Sequence, residues 1–450
     1  MILFDTLRKA ISNKIALIKG SSLKARAARG ALILAIGTFF ERGMSLVRNM
    51  ILARMLAPKD FGLMAIVLSV LTVLESFTDI GVRQSIIQHP EGNRREYLSI
   101  VWWVQVVRTV GLFIAAFLIA PAICRFYGKP ELLNLLRVSF LVVVFGGFTS
   151  PGFSLLDKEF RFIKALFLIQ GTSLIGTVTT ISLALYMQSV WVLAIGKVVE
   201  SAVQCLLSNL LCPFRPMLKI DRRYLKDVIS FGRGMAGLSF LTIISLQTDI
   251  FVMGKLLPSE QVGMYALALS LAQQPLLFFS RTMGRVLLPA FAEKQNDKRA
   301  LCSAVVKILK SILLFGIPLS VLAALGSKTI LSVIYGAQYS VVAVPFALLC
   351  FAMLFYVQAV VLSQIYMGIG MPHLHRRYVI LRASLVICLI YPGIKLFGLA
   401  GAAGVLLFSH TIAVFMQIIW MKSVIGIRFK DYIHCWWPLH PAPIMNSSLE

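Results

Sequence analysis

The sequence predicts an all-α integral membrane protein of about twelve transmembrane helices, arranged as two six-helix lobes related by an axis along the membrane normal around a central cavity. Three observations carry that prediction: the composition, a near-continuous series of apolar runs, and a short internal repeat. Of the 450 residues, 58% are hydrophobic and only 14% are charged, and the mean hydropathy is +0.84. An ordinary soluble domain is about 45–50% apolar and about 25% charged, so a soluble globule is excluded.

Runs of about 20 apolar residues, each enough to cross roughly 30 Å of hydrocarbon as a helix, fall at 31–56, 62–88, 98–123, 132–156, 165–187, 190–212, 231–257, 263–290, 304–326, 341–370, 378–395 and 399–421. Between them there is no room for a soluble domain. The chain divides into a basic arm (1–30), an N-terminal six-helix lobe (31–212), a linker (213–230), a C-terminal six-helix lobe (231–421) and a tail (422–450). The arm interleaves Leu3, Phe4, Leu7, Ile11, Ile15 and Ile18 with basic residues, the pattern of an interfacial amphipathic helix rather than a signal peptide.

The net charge of +25 comes from 44 Lys and Arg against 19 Asp and Glu. In a soluble protein that excess would suggest a nucleic-acid partner; here its placement explains it. One alternate set of loops, with both termini, holds residues such as Lys9, Arg26, Arg94, Arg95, Arg215, Arg222, Arg376 and Arg428. The opposite set holds only Lys59, Arg125, Lys129, Lys255, Lys328 and Lys395. The richer side is cytoplasmic by the positive-inside rule, which puts both termini in the cytoplasm and leaves no role for nucleic acid. The seven cysteines are scattered, with no C-x-x-C pair, so neither a disulfide framework nor a metal site is expected.

The repeat pairs 52–71 with 252–271. Leu56, Pro58, Asp60 and Gly62 align with Leu256, Pro258, Glu260 and Gly263, with one extra residue in the second copy. Each copy is the outer-side hairpin of the first helix pair in its half. An even number of spans per half keeps the copies in one orientation, as in transporters built from duplicated halves.

Ionisable groups at bilayer depth are costly and usually face a protein interior or a wet path. At about 1.5 Å per residue, Arg48 lies about 13 Å and Asp249 about 12 Å from the outer ends of spans one and seven. Asp79 and Arg281 lie about 25–27 Å from the outer ends of spans two and eight. The alignment places Asn49 on Asp249 and Ile80 on Arg281, so a symmetric scaffold carries an electrically asymmetric lining. Arg42, Arg48, Arg281 and Arg285 are the candidate substrate-binding cations, because guanidinium groups donate paired hydrogen bonds to phosphate. Glu41, Glu75, Asp79 and Asp249 are the candidate ion-coupling or gating carboxylates. The competing reading is local: an Asp79–Arg83 pair, Arg83 and Arg285 snorkelling to the interface, and Glu41–Arg42 neutralising each other. Arg108, Arg137, Lys197, Glu200, Lys307, Lys310 and Arg382 read as structural or interfacial. The small residues Ala400 to Gly404 suit close helix packing. No Walker A, G-x-S-x-G or H-E-x-x-H motif is present, so ATP hydrolysis by this chain is not supported.

The run Arg54-Met-Leu-Ala-Pro58-Lys-Asp60-Phe-Gly62, then Phe77-Thr-Asp79-Ile-Gly81 and Gln84-Ser-Ile-Ile-Gln88, resembles the first two helices of polysaccharide-transporter flippases in the multidrug/oligosaccharidyl-lipid/polysaccharide exporter superfamily. Leu156-Asp-Lys-Glu159-Phe-Arg161-Phe, Phe231-Gly232 with Asp249, Gly263-Met-Tyr265-Ala-Leu-Ala and Phe397-Gly398-Leu-Ala-Gly401 extend the likeness over about residues 30–425. Tyr339 departs from it, since such proteins often place Trp there. The resemblance implies a non-enzymatic flippase of undecaprenyl-diphosphate-linked oligosaccharide repeat units in a bacterial cytoplasmic (inner) membrane, serving lipopolysaccharide O-antigen, capsule or exopolysaccharide assembly by alternating access. It also implies membrane lipid, a polysaccharide polymerase and a chain-length regulator as partners, and a monomer suffices because both lobes lie in one chain. No cofactor is expected; coupling to H⁺ or Na⁺ is a hypothesis motivated by Asp79 and Asp249. The alternatives are a multidrug or small-molecule exporter of the same superfamily, and a membrane glycosyltransferase or polymerase, for which the outer loops are short.

Overall fold

A chain immersed in hydrocarbon must satisfy its backbone hydrogen bonds internally. The computed structural model is accordingly helical, with no strand among the described residues. It describes residues 23–77, 81–159, 161–218, 221–275, 297–426 and 432, with backbone alone at 23–35, 77, 157, 162, 233–239, 298–299 and 423. The basic arm through residue 22 and most of the tail therefore lie outside the described residues. The helices are α1 (Leu23–Met55), α2 (Pro58–Phe77), α3 (Val82–Gln88), α4 (Arg95–Tyr127), α5 (Leu132–Ser139), α6 (Leu141–Gly147), α7 (Gly152–Lys158), α8 (Phe162–Tyr186), α9 (Trp191–Leu211), α10 (Arg222–Leu256), α11 (Ser259–Ala272), α12 (Lys298–Leu325), α13 (Ser327–Ile334), α14 (Ala343–Gly368) and α15 (Pro372–Ile425), with a 3-10 turn at Ala337–Val342. Among the described residues six apolar stretches, in α4, α8, α9, α12, α14 and α15, are long enough to cross a membrane.

Several expected spans take a different form, 62–88 among them, which is divided between α2 and α3. The run 132–156 is broken at Phe140 into α5 and α6 and again before α7, the second break falling at Gly146, Gly147 and Pro151, residues that disfavour a continuous helix. Gly147 lets α6 approach α4: a Cβ there would lie 1.9 Å from Thr109 Oγ1. The runs 378–395 and 399–421 form one helical assignment, α15, hinged at Gly398 with φ 57° and ψ −133°. The chain doubles back at this hinge, since a Cβ on Gly401 would lie 1.9 Å from the Gly393 carbonyl oxygen. This is the close packing expected of the Ala400–Gly404 stripe. A further difference is the start of α10 at Arg222, inside the expected linker. The Asp221 carboxylate accepts the Arg223 N–H at 2.8 Å, an N-terminal cap, and Tyr224 and Val228 are buried in a core with Ile86, Tyr97, Leu98, Ile100 and Val101.

Two compact units follow from the contacts: residues 1–48 with 74–239, and 49–73 with 240–450. Their boundaries fall inside α1, α2 and α10. In the first unit the segment that follows α9 is tied down through Met217 and Tyr224. Met217 N–H donates to Ser99 Oγ at 3.0 Å, Trp103 Nε1 donates to the Met217 carbonyl at 3.0 Å, and Tyr224 Oη donates to Glu91 Oε2 at 2.6 Å. His89 stacks on Tyr97 at 4.2 Å, and Lys158 Nζ donates to the His89 carbonyl at 3.0 Å.

The Tyr224 hydrogen bond holds the Glu91 carboxyl below its ordinary range against the opposing effect of burial, with Arg94 assisting. A carboxylate depressed on folding contributes stability above its unfolded pKa and loses it as pH falls through the folded value. Hydrogen exchange across 213–224, corrected for intrinsic rates, is therefore expected to accelerate as pH drops through that midpoint. Tyr224→Phe is expected to move the onset to higher pH; an unchanged onset would remove this bond from the account.

Candidate functional site: outer hairpin and intramembrane charges

The second unit contains both copies of the repeat. Pro58 opens α2 at its first turn, where its missing N–H costs nothing, and Ser259 opens α11 after Pro258. The two helix starts meet backbone to backbone. A Cβ on Gly62 would lie 1.8 Å from the Ser259 carbonyl oxygen, and one on Gly263 would lie 1.9 Å from the Pro58 carbonyl oxygen. The contact is reciprocal, as in an isologous interface: each glycine meets the carbonyl of the first helical residue of the other hairpin. Only glycine fits at either position. Close by in the same unit, Arg54 donates to the Val333 carbonyl, linking the end of α1 to α13.

This contact corrects the alignment made from the sequence. Pairing Pro58 with Pro258 required an extra residue, but the structural equivalents are Pro58 with Ser259 and Gly62 with Gly263, a constant offset with no insertion. The helix ends agree: Leu56 N–H bonds the Leu52 carbonyl, and Leu257 N–H bonds the Met253 carbonyl. Carried back along α1 and α10, the same register places Arg48, not Asn49, on Asp249. By this register Arg48 and Asp249 are opposite charges at one position of the two repeats, while Ile80 and Arg281 lie outside the described residues.

Asp249 is 1% exposed. Its carboxyl accepts the Ile250 N–H at 2.9 Å and the Tyr265 hydroxyl at 3.2 Å, and no described cation lies within ion-pair distance of it. Tyr265 was visible as part of the Gly263-Met-Tyr265 motif, but nothing in its spacing from Asp249 assigned it this contact. Arg48 makes an ion pair with Glu200 at 4.0 Å, a carboxylate that Lys197 also holds at 3.1 Å. Gly176 lets α8 approach α9 at that point, since its Cβ would lie 2.8 Å from Glu200 Cβ. Reading Lys197 and Glu200 as structural missed Glu200 as the partner of Arg48, because the pairing joins helices 150 residues apart. Glu41 and Arg42 pair with each other at 3.6 Å. Glu75 is exposed, and Asp79, Arg281 and Arg285 lie outside the described residues. Arg382 is 2% exposed, with Nη2 2.6 Å from Ser245 Oγ and its guanidinium over the Tyr356 ring at 5.1 Å. Among the described residues no group of His, Cys, Asp or Glu could hold a metal ion.

The Arg48–Glu200 pair is partly exposed at 26% and 20%, so its coupling in a thermal-stability double-mutant cycle is expected to stay below about 1 kcal/mol.

Comparison with known proteins bears on the fold and the family. The chain is 24% identical over 419 residues to the lipopolysaccharide biosynthesis protein WzxC of Escherichia coli (strain K12), covering 92% of this chain and 85% of that one. It is 27% identical over 370 residues to the amylovoran biosynthesis protein AmsL of Erwinia amylovora, covering 78% and 92%. Among solved structures, the lipid II flippase MurJ in an inward closed conformation superposes with a TM-score of 0.76 at 15% identity, covering 90% of each chain. An inward-facing multidrug resistance MATE family transporter of the MOP superfamily superposes with a TM-score of 0.70 at 14% identity, covering 87% of this chain and 98% of that one. A family model described as polysaccharide biosynthesis protein matches residues 51–345, well over half of the sequence, and the chain belongs to that family.

Proposed function

We propose that this protein is a flippase carrying undecaprenyl-diphosphate-linked oligosaccharide repeat units from the inner to the outer leaflet of a bacterial cytoplasmic membrane, for lipopolysaccharide, capsule or exopolysaccharide assembly. Twelve spans form two six-helix halves that open alternately to either side, with both termini cytoplasmic and no ATPase in the chain. The observation that carries this mechanism is the reciprocal contact of Gly62 and Gly263, which joins equivalent points of the two repeats on the outer side. Movement of the hairpins apart and together is the outer gate. The substrate class rests on relatives named for lipopolysaccharide and amylovoran biosynthesis.

Arg42, Arg48, Arg281 and Arg285 receive the diphosphate, whose charge matches the guanidinium fork. Glu41, Glu75, Asp79 and Asp249 gate that path or couple it to H⁺ or Na⁺. Asp249 suits coupling because its carboxyl is wholly buried on two hydrogen-bond donors, and a change in its charge alters the energetics of the helix pair α10 and α11. In a strain lacking the gene, lipid-linked repeat units are expected to accumulate with their sugars on the cytoplasmic leaflet. Wild type restores the polysaccharide, and Arg48→Ala, Asp79→Ala and Arg281→Ala, inserted at equal level, do not. Full restoration by all three would overturn the site; export of an unlinked small molecule with no accumulation would favour the exporter reading.

A further inference from the structure

The second unit contains a cavity of about 830 Å³ that the functional site does not use, bounded by α11, α12, α13 and α14. This lies within the roughly 300–1,000 Å³ of small-molecule sites. One wall is a continuous face of α12 that includes Lys307, Ser311, Phe315, Leu319 and Ala323. Gly316 sets its floor: a Cβ there would lie 2.3 Å from Leu354 Cδ1, so α12 and α14 touch midway and the space lies along them. Phe315 and Leu319 are 74% and 56% exposed, so the groove is open at its side. Ser311 Oγ donates to the Lys307 carbonyl at 2.8 Å, which satisfies its hydroxyl on the helix itself.

We infer that this groove seats the isoprenoid chain of the lipid-linked substrate, with Lys307 at the level of the diphosphate. The inference rests on the flippase reading and adds a tail site to it. Length and charge select the occupant. From Lys307 to Ala323 the α12 wall is about 24 Å long at about 1.5 Å per residue, whereas one leaflet supplies only about 15 Å of a hydrocarbon core about 30 Å thick. An acyl chain anchored at the inner interface ends near the midplane, so acyl chains fill the groove only as two separate lipids, one from each leaflet; a single polyisoprenoid runs along all of it. Among the described residues of the lining, Lys307 is the charged one, a few residues inside the cytoplasmic end of the span at 304–326. A lysine there can extend its stem to the interface and present a point charge to phosphate.

The test uses the full chain in vesicles with a polyprenyl diphosphate bearing a photoreactive group in its chain, and maps the labelled peptides. Label is expected on α12 and α14. Leu319→Trp, which fills the groove, and Lys307→Glu, which inverts the charge, each lower the label about ten-fold, the scale of one charge-assisted contact. Leu322→Trp, on the same helix but outside the lining, leaves it unchanged. Label elsewhere in the chain, or label indifferent to both groove variants, overturns the inference. So does equal labelling of the same peptides by a photoreactive phosphatidylglycerol that displaces the polyprenyl probe. Transport is read in the same vesicles: flipping without groove labelling removes the tail site and keeps the flippase, and groove labelling without flipping does the reverse.

Discussion

Gly62→Leu is expected to lower transport by about 10- to 100-fold while leaving membrane insertion intact. The position has no room for a Cβ, which would lie 1.8 Å from a backbone carbonyl oxygen. The obstruction is main chain rather than a flexible side chain, so relief requires the two hairpins to part. Forcing extra carbons into a packed contact costs about 1–3 kcal/mol, and each 1.4 kcal/mol is about ten-fold in population. A transporter that must pass through an outer-closed state slows by that loss. Gly263→Leu is expected to match it, because the contact is reciprocal, and Gly62→Ala to give a smaller loss of the same sign. A Gly62→Cys/Gly263→Cys pair is expected to cross-link under mild oxidation, arresting transport until reduced. Full-rate transport by Gly62→Leu would mean that the hairpins do not act as a gate.

Asp249→Asn is expected to remove the dependence of transport on an ion gradient and to reduce the rate about 100-fold. The substitution keeps the shape of the side chain and removes its charge, so loss of packing does not account for the result. Tyr265→Phe is expected to cost about ten-fold, because one hydrogen bond to a charged group contributes about 1.5–3 kcal/mol. Transport in vesicles with imposed and collapsed H⁺ and Na⁺ gradients measures both. Unaltered gradient dependence in Asp249→Asn would remove it as a coupling residue.

The all-helical membrane character was legible because hydrocarbon leaves a chain few alternatives, and apolar length alone signals it. The breaks were harder to read. The run 132–156 looks continuous by hydropathy, yet it breaks at Phe140 and again at Gly146, Gly147 and Pro151, and a hydropathy window averages over such places. The repeat was found from Pro58, Gly62, Pro258 and Gly263, but identity of the prolines led the alignment one residue astray. Proline prefers the first turn of a helix without being fixed to one place in it, so Pro58 is the first residue of α2 while Pro258 precedes α11. Backbone contact, which depends on the glycines alone, settled the register and brought Arg48 onto Asp249. Side-chain partners were the least legible feature. The Arg48–Glu200 and Asp249–Tyr265 contacts depend on which helices are neighbours, and hydrophobic pattern carries no such information.

The most direct measurement of the central claim is translocation by the purified wild-type protein in vesicles containing an undecaprenyl-diphosphate-linked oligosaccharide. Oxidation of the sugars by external periodate reports which leaflet holds them. The account predicts that sugars initially confined to the inner leaflet become fully oxidisable in the presence of the protein, and remain about half protected when lipid begins on both leaflets of protein-free vesicles. Inner-leaflet sugars that stay protected with the inserted protein, across oligosaccharides of different composition and under either ion gradient, would contradict it.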